Sequence, residues 1–124
     1  MVQLKRIQNL GDNTEEACYQ AFDDKNNLIG ETTFYKRSQP YKHWYIDTLR
    51  VEKEYERQGF GTAILNEIKT IMFNIETLPI EIIPSGVEID KEEFIQWLIH
   101  RGFQEIEISY SHGQIIKRGC KYTP

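Results

Sequence analysis

Two glycines, Gly59 and Gly61, separate a strand-like run from a helix-like run in the segment "VEKEYERQGFGTAIL", residues 51–65. A helix begins with unpaired backbone N–H groups and the positive end of its dipole, and both favour phosphate. Residues without side chains let a bulky diphosphate approach and permit unusual dihedral angles. The segment "RQGFGT" therefore indicates a diphosphate site at the start of a helix, where Phe60 turns to the core and Thr62 adds a hydroxyl.

Other phosphate-binding motifs fit these residues badly. A dinucleotide-binding fingerprint requires a third glycine, but Ile64 occupies its place, and the Gly-Lys-Ser/Thr of a P-loop is absent from the sequence. A Gly-x-Gly pair taken alone is equally typical of tight packing between a helix and a strand. The residues themselves leave both interpretations open.

The cysteines and histidines show no spacing that is typical of a catalytic or metal site. The two cysteines, Cys18 and Cys120, lie in strand-like runs, and we expect them to be small core or edge residues. The three histidines are scattered along the chain, with no second ligand at the spacing that metal sites use; they are His43, His100 and His112. No metal site is predicted.

Size and charge restrict the class of protein. The chain has 124 residues, which predicts one domain over 1–124. Its net charge of −4 argues against general nucleic-acid binding. No apolar run approaches the ~18 residues of a membrane-spanning helix, and the first residues lack the apolar core of a signal peptide. We expect a reduced, cytoplasmic setting with neither a nucleic acid nor a membrane as partner.

Periodicity predicts nine elements in the order β-β-β-β-α-β-α-β-β. The segment "DDKNN" predicts a hairpin between the second and third strands, because Asp and Asn tolerate left-handed geometry. Asp90 is the expected cap of the second helix, and Gly102 ends it. The predicted elements are strands at 2–8, 15–22, 28–35, 43–51, 78–84, 103–110 and 114–122, with helices from about 59 and from 91.

This order predicts an α/β (α+β) fold with a mixed, mostly antiparallel sheet. A central β-α-β crossover joins the strands at 43–51 and 78–84, which should be parallel. Alternation along 43–51 places Trp44 and Ile46 on one face. It places Asp47 on the other face, with Tyr45, Leu49 and Val51.

A strand, a short polar loop and "QGFGTAIL" on an amphipathic helix resemble motif A of the GNAT superfamily of N-acetyltransferases, Arg/Gln-x-x-Gly-x-Gly/Ala. Gly59 and Gly61 match the motif. The late "FIQWLIHRGFQEI" resembles the helix that precedes the Gly-Phe of this family, here Gly102 and Phe103. The resemblance extends over residues 28–110.

The resemblance implies that acetyl-CoA is the cofactor. Its pantetheine arm would pair with the backbone of the fourth strand, at Leu49, Arg50 and Val51. Its diphosphate would be held at residues 57–62, namely Arg57, Gln58, Gly59, Phe60, Gly61 and Thr62. The implied reaction is N-acetyl transfer to a primary amine, with Asp47 as general base. From the residues alone, Asp47 is equally a solvated acid, or one paired with Lys42 or Arg50.

Several positions depart from the family pattern. Glu56 stands where the motif opens with Arg or Gln, and Arg57 is the candidate to restore the charge. Leu98 replaces the tyrosine that protonates the leaving thiolate, and Phe94 stands where a small residue is common. Only "LGDNTE" separates the first two strands, so the early helices are expected to be reduced or absent.

Because these helices wall the acceptor site in the family, the site is expected to be open here. An open site suits a large amine, or a homodimer in which the other subunit supplies the missing wall. The alternative function is a non-catalytic coenzyme A-binding or protein-interaction module that kept the cofactor site and lost the acid.

Overall fold

A computed structural model describes residues 2–7, 16–84, 90–110 and 115–124. The strands are β1 (Gln3–Arg6), β2 (Glu16–Phe22), β3 (Leu28–Arg37), β4 (His43–Val51), β5 (Ile80–Ile82), β6 (Gln104–Tyr110) and β7 (Ile115–Tyr122). The helices are α1 (Phe60–Ile75) and α2 (Lys91–Ile99), and a short 3-10 helix, which the sequence did not predict, spans Lys53–Tyr55.

The seven strands form one mixed sheet in the order β1-β2-β3-β4-β5-β7-β6. Strands β4 and β5 are parallel and are joined through α1, whereas every other neighbouring pair is antiparallel. The predicted element order, the mixed sheet and the parallel pair are confirmed, and β1 forms one edge of the sheet. The segment between β1 and β2, where early helices were expected to be reduced or absent, lies outside the described residues.

Several predicted boundaries have a visible local cause. Asn26 adopts a φ of 65° in the turn between β2 and β3, as expected for Asn in left-handed geometry. The Asp23 carboxylate accepts hydrogen bonds from the backbone N–H of Lys25 and of Asn27 in the same turn. Gly102 has a φ of 92° just after α2, which suits glycine. The predicted loop at 85–89 and turn at 111–113 lie outside the described residues.

Both helices pack on the same face of the sheet. Apolar side chains at helical spacing on α1 are fully buried there; they are Ile64, Leu65, Ile68 and Met72. They share a core cluster with Phe34, Ile46 and the apolar residues of β5 and α2. Burying each such side chain contributes about 1.5–3 kcal/mol, so this face fixes where α1 begins and points. Within the described residues, neither helix has the length and apolarity needed to span a membrane.

The opposite face of the sheet, which we call the open face, carries no helix in the described part of the chain. Its central residues on β4 and β5 include His43, Tyr45 and Glu81, which are nevertheless buried. The loop from Ser38 to Lys42 contacts this face through Tyr41. The centre of the open face therefore carries polar and aromatic side chains.

A β-bulge in β4 corrects the predicted faces of this strand. Thr48 pairs with Thr33 and Ile46 pairs with Phe34, so Asp47 is the extra residue between them. The added residue reverses the alternation that follows it. Leu49 and Val51 consequently lie on the helix-covered face with Ile46, and the prediction that they share a face with Tyr45 is wrong.

Candidate active site

The parallel pair at the centre of the sheet is short. Strands β4 and β5 pair only over Trp44–Ile80, Tyr45–Glu81 and Ile46–Ile82. Strand β4 continues to Val51 and still pairs with β3, but in the described residues no strand pairs with its other edge beyond Ile46. The backbone of Leu49, Arg50 and Val51 therefore offers hydrogen-bonding groups on an open strand edge.

The start of α1 lies just beyond the end of this strand, and no side chain caps it. Gly59 is the N-cap residue, it makes no side-chain hydrogen bond, and the first turn contains no acid. By contrast, α2 is capped by its own residues. The Asp90 carboxylate accepts from the N–H of Glu93, and Glu92 and Glu93 lie in its first turn. Of the two α-helices in the described residues, α1 alone therefore leaves the positive end of its dipole for an external anion.

The two glycines are required for different reasons. Gly59 has a φ of 84°, and a Cβ added there would meet nothing within 4 Å, so its backbone conformation requires glycine. A Cβ on Gly61 would lie 3.3 Å from Cζ2 of Trp97 and 3.8 Å from Cγ2 of Val51. Gly61 therefore permits close packing of α2 and β4 against α1. Tight packing thus explains Gly61, whereas the diphosphate site at the start of α1 stays a prediction.

The other predicted cofactor residues lie in the same loop. Arg57 has a φ of 63°, a left-handed conformation that costs a non-glycine residue about 1–3 kcal/mol and is enriched at functional sites. Its guanidinium is highly exposed and lies 3.7 Å from the Glu93 carboxylate. Gln58 donates to the carbonyl of Glu54, and the Phe60 ring packs edge-on against Tyr55.

Arg101, which the sequence did not single out, reaches the first turn of α1 from the end of α2. Its Nε donates to the hydroxyl of Thr62 at 2.8 Å, and its Nη1 donates to the carbonyl of Trp97 at 2.9 Å. The guanidinium carbon lies 4.2 Å from the centre of the Trp97 ring. The available signal was the spacing of Phe94, Trp97 and Arg101, which places all three on one side of a helix.

The candidate base Asp47 is exposed at the head of the open edge of β4, directly after the last residue that pairs with β5. In the described part of the chain it has no ion pair. Arg50 instead contacts Glu31 at 3.0 Å and Glu52 at 3.3 Å. The Asp47 carboxylate is therefore accessible at the point where β4 and β5 stop pairing.

A polar cluster, also missed from the sequence, lies on the open face beside the parallel pair, with His43 and Glu81 buried and Tyr41 exposed. His43 Nδ1 donates to the carbonyl of Tyr41 at 2.8 Å, and His43 Nε2 lies 3.7 Å from a carboxylate oxygen of Glu81. The Tyr41 hydroxyl donates to the other carboxylate oxygen. Burial raises the pKa of Tyr41, and the hydrogen bond to Glu81 adds to this shift, so the phenol remains a donor at neutral pH.

The structure shows the surroundings of Leu98 and Phe94, which depart from the family pattern, and of Cys120. Leu98 is fully buried in the core, so no hydroxyl is available at this point of α2. Phe94 is half-buried against Trp97, with ring centres 5.7 Å apart. Burial raises the pKa of Cys120 to about 11, and an uncharged thiol is a poor nucleophile. Cys120 is therefore the core residue that its strand position indicated.

An open edge on the longer strand of a parallel pair, with an uncapped helix start beside it, is the arrangement that the family resemblance implies for a coenzyme A site. The sequence profile described as "Acetyltransferase (GNAT) family" matches residues 2–82. Because this match covers more than half of the chain, the chain belongs to the GNAT acetyltransferase family.

Solved structures with the same fold are distant in sequence. A GNAT family acetyltransferase from Staphylococcus aureus Mu50 is 18% identical with a TM-score of 0.67; the match covers 89% of this chain and 68% of that one. The PaiA N-acetyltransferase from Thermoplasma acidophilum, in complex with coenzyme A, is 18% identical with a TM-score of 0.68 over 90% of this chain and 63% of that one. This chain thus spans about two thirds of both.

A third structure matches over nearly the whole length of both chains. It is a GNAT family acetyltransferase from Elizabethkingia anophelis with acetyl-CoA bound, 12% identical, with a TM-score of 0.68 over 97% of this chain and 95% of that one. The prediction of acetyl-CoA as cofactor agrees with these complexes. Among curated proteins, no sequence is significantly similar to this chain.

Proposed function

We propose that this protein is an N-acetyltransferase that transfers the acetyl group of acetyl-CoA to a primary amine. The observation that carries the proposal is the open edge of β4 beyond Ile46, which leads directly to the uncapped start of α1. The open edge of β4 supplies backbone groups for the pantetheine arm of acetyl-CoA. The start of α1 supplies N–H groups for its phosphates. The membership of the GNAT family supports the same reaction class.

The proposed binding mode uses the predicted residues in order along the chain. The backbone of Leu49, Arg50 and Val51 pairs with the pantetheine arm as an added strand would. The N–H groups from Arg57 to Thr62 bind the diphosphate, and the missing side chain of Gly59 leaves the approach open. Bound acetyl-CoA supplies an activated thioester carbonyl for attack by the amine.

Asp47 is the proposed general base. It accepts the proton that the amine loses, so that the nitrogen lone pair is free when the new C–N bond forms. The exposed position of Asp47 and its lack of an ion pair in the described residues support this role. With Leu98 in place of the family tyrosine, the departing thiolate takes its proton from water.

The acceptor proposed here is a primary amine that approaches over the open face. In the described residues no helix covers that face, which suits a large acceptor such as a protein tail. A homodimer that covers it and a cytoplasmic location also remain proposals.

The test measures thiol release from acetyl-CoA with a panel of amines: lysine, spermidine, and peptides with a free N-terminus. We expect Asp47→Asn to lower the turnover number about a hundredfold or more at pH 7, because the amine then loses its proton only to water. Coenzyme A affinity, measured by calorimetry, should stay within about twofold. Glu107→Gln, which removes an exposed acid on β6, is the control for net charge. A full rate in Asp47→Asn would remove Asp47 from the mechanism.

A second candidate is a coenzyme A-binding module without catalysis. The buried Leu98 favours it, because the hydroxyl that the family uses for the leaving thiolate is absent there. Under this alternative, coenzyme A binds but no amine of the panel releases thiol, even at pH 10 where the amines are deprotonated. Turnover with any amine would exclude it.

A further inference from the structure

Arg101 is half-buried, and no acidic side chain contacts it in the described part of the chain. Its hydrogen-bond partners are a hydroxyl and a carbonyl. The Trp97 ring stabilises part of this charge through a cation–π contact, but no anion lies beside it among the described residues. The charge of Arg101 is therefore available to an external anion.

Three contacts hold the guanidinium in one orientation beside the start of α1. Nε is fixed to Thr62, Nη1 is fixed to the carbonyl of Trp97, and the plane stacks on the Trp97 ring. Nη2 has no partner among the described residues. Thr62 is the third residue of α1, so the guanidinium lies beside the turn whose N–H groups are uncapped.

Arg57, the cation that the sequence offered for this site, is a weaker candidate. Its side chain is 86% exposed, and it already lies 3.7 Å from the carboxylate of Glu93. An exposed side chain loses much conformational entropy when it orders on a ligand, whereas Arg101 is ordered beforehand. The two arginines therefore differ in organisation, although both carry one charge.

We propose that Arg101 binds a phosphate oxygen of the cofactor and supplies the positive charge that Glu56 does not provide. This inference rests on the proposed function, since it requires coenzyme A at the start of α1. The free Nη2 and the neighbouring N–H groups of α1 then form one anion site. An arginine fork is suited to this task, because it donates several hydrogen bonds in a fixed plane.

The experiment compares three ligands on the full chain by calorimetry or NMR titration: coenzyme A, dephospho-coenzyme A, and pantetheine, which has no phosphate. We expect Arg101→Gln to weaken coenzyme A binding about tenfold to a hundredfold. Affinity for pantetheine should not change. If dephospho-coenzyme A loses as much as coenzyme A, the contact is to the diphosphate; if it loses nothing, the contact is to the 3′-phosphate.

Matched variants separate charge from position. Arg6→Gln removes the same charge from an exposed arginine on β1 and should bind coenzyme A as the wild type does. Arg57→Gln should lose less affinity than Arg101→Gln. An Arg101→Gln variant with wild-type coenzyme A affinity overturns the proposal, and so does one that loses pantetheine equally.

A measurement on the unaltered protein covers the case in which Arg101→Gln does not fold. The Arg101 Nε–H resonance should shift when coenzyme A is added and stay in place with pantetheine. An unmoved resonance in the presence of bound coenzyme A overturns the role of Arg101 and leaves the proposed function standing. If coenzyme A does not bind the wild-type chain at millimolar concentration, the proposed function fails as well.

Discussion

At the scale of single residues, the Gly-x-Gly pair serves two purposes that the sequence alone could not separate. Gly59 is required by the backbone conformation, because its φ of 84° is one that other residues rarely adopt. Gly61 serves packing, because the Trp97 ring occupies the space that its side chain would need. Loss of coenzyme A binding in a Gly61 variant would thus combine a clash in the protein with any effect on the ligand.

Substitutions at Gly59 isolate the backbone contribution. We expect Gly59→Ala to lower the free energy of unfolding by about 1–2 kcal/mol, the usual cost of a left-handed conformation for an L-residue. Gly59→Asn should lose less, because Asn tolerates this conformation. Urea unfolding at equilibrium measures both. Equal losses in the two variants would show that side-chain crowding, rather than φ, selects glycine here.

At the scale of elements, the parallel pair β4–β5 is only three residue pairs long, so side chains must help to hold it. The cluster of His43, Glu81 and Tyr41 joins the two strands and the preceding loop. His43 Nδ1 donates to a carbonyl, so in the neutral ring Nε2 is an acceptor that faces a carboxylate oxygen. At 3.7 Å no hydrogen bond joins the two atoms, and Nε2 has no other partner among the described residues.

This arrangement predicts a difference between two substitutions of Glu81. Glu81→Gln keeps an acceptor for the Tyr41 hydroxyl and places an amide donor opposite His43 Nε2, so stability should be unchanged or higher. Glu81→Leu removes the acceptor of the Tyr41 hydroxyl and leaves His43 Nε2 without a polar neighbour, and it should cost about 1–3 kcal/mol. Thermal and urea unfolding of both variants measure the difference. A Glu81→Gln variant as unstable as Glu81→Leu would mean that the charge itself is required.

At the scale of the whole molecule, the sheet consists of two parts joined by a short parallel pair. The strands β1, β2 and β3 form a continuous antiparallel unit with β4, whereas β5, β7 and β6 meet β4 only through the short parallel pair. The open edge of β4 lies where these two parts diverge. A ligand that enters there contacts both parts and should stabilise the molecule as a whole.

Coenzyme A is therefore expected to raise the free energy of unfolding by about 2.7 kcal/mol at a concentration of 100 times its Kd. Hydrogen exchange should locate the effect. Amides of Thr48–Val51 that do not bond to β3, and those at the start of α1, should gain protection. Amides of the β2–β3 hairpin serve as the internal control. Protection confined to the hairpin, or absent from β4, would contradict binding along the open edge.

The sequence by itself determined the elements, their order and the helix start at which the cofactor site is predicted. The left-handed Asn26, the cap at Asp90 and the glycine after α2 are local signals, and the structure confirms each of them. They were predictable because turns and caps depend on the backbone preferences of a few neighbouring residues. Family resemblance in the motif added the chemistry that local preferences do not specify.

Only the tertiary structure decided which side chains surround the site. The bulge at Asp47 depends on how β4 pairs with β3, and it reversed the faces of Leu49 and Val51. Arg101 meets Thr62 across 39 residues of sequence, and Tyr41 meets Glu81 across 40. Such contacts form only when the core brings distant segments together, because no local preference couples residues so far apart.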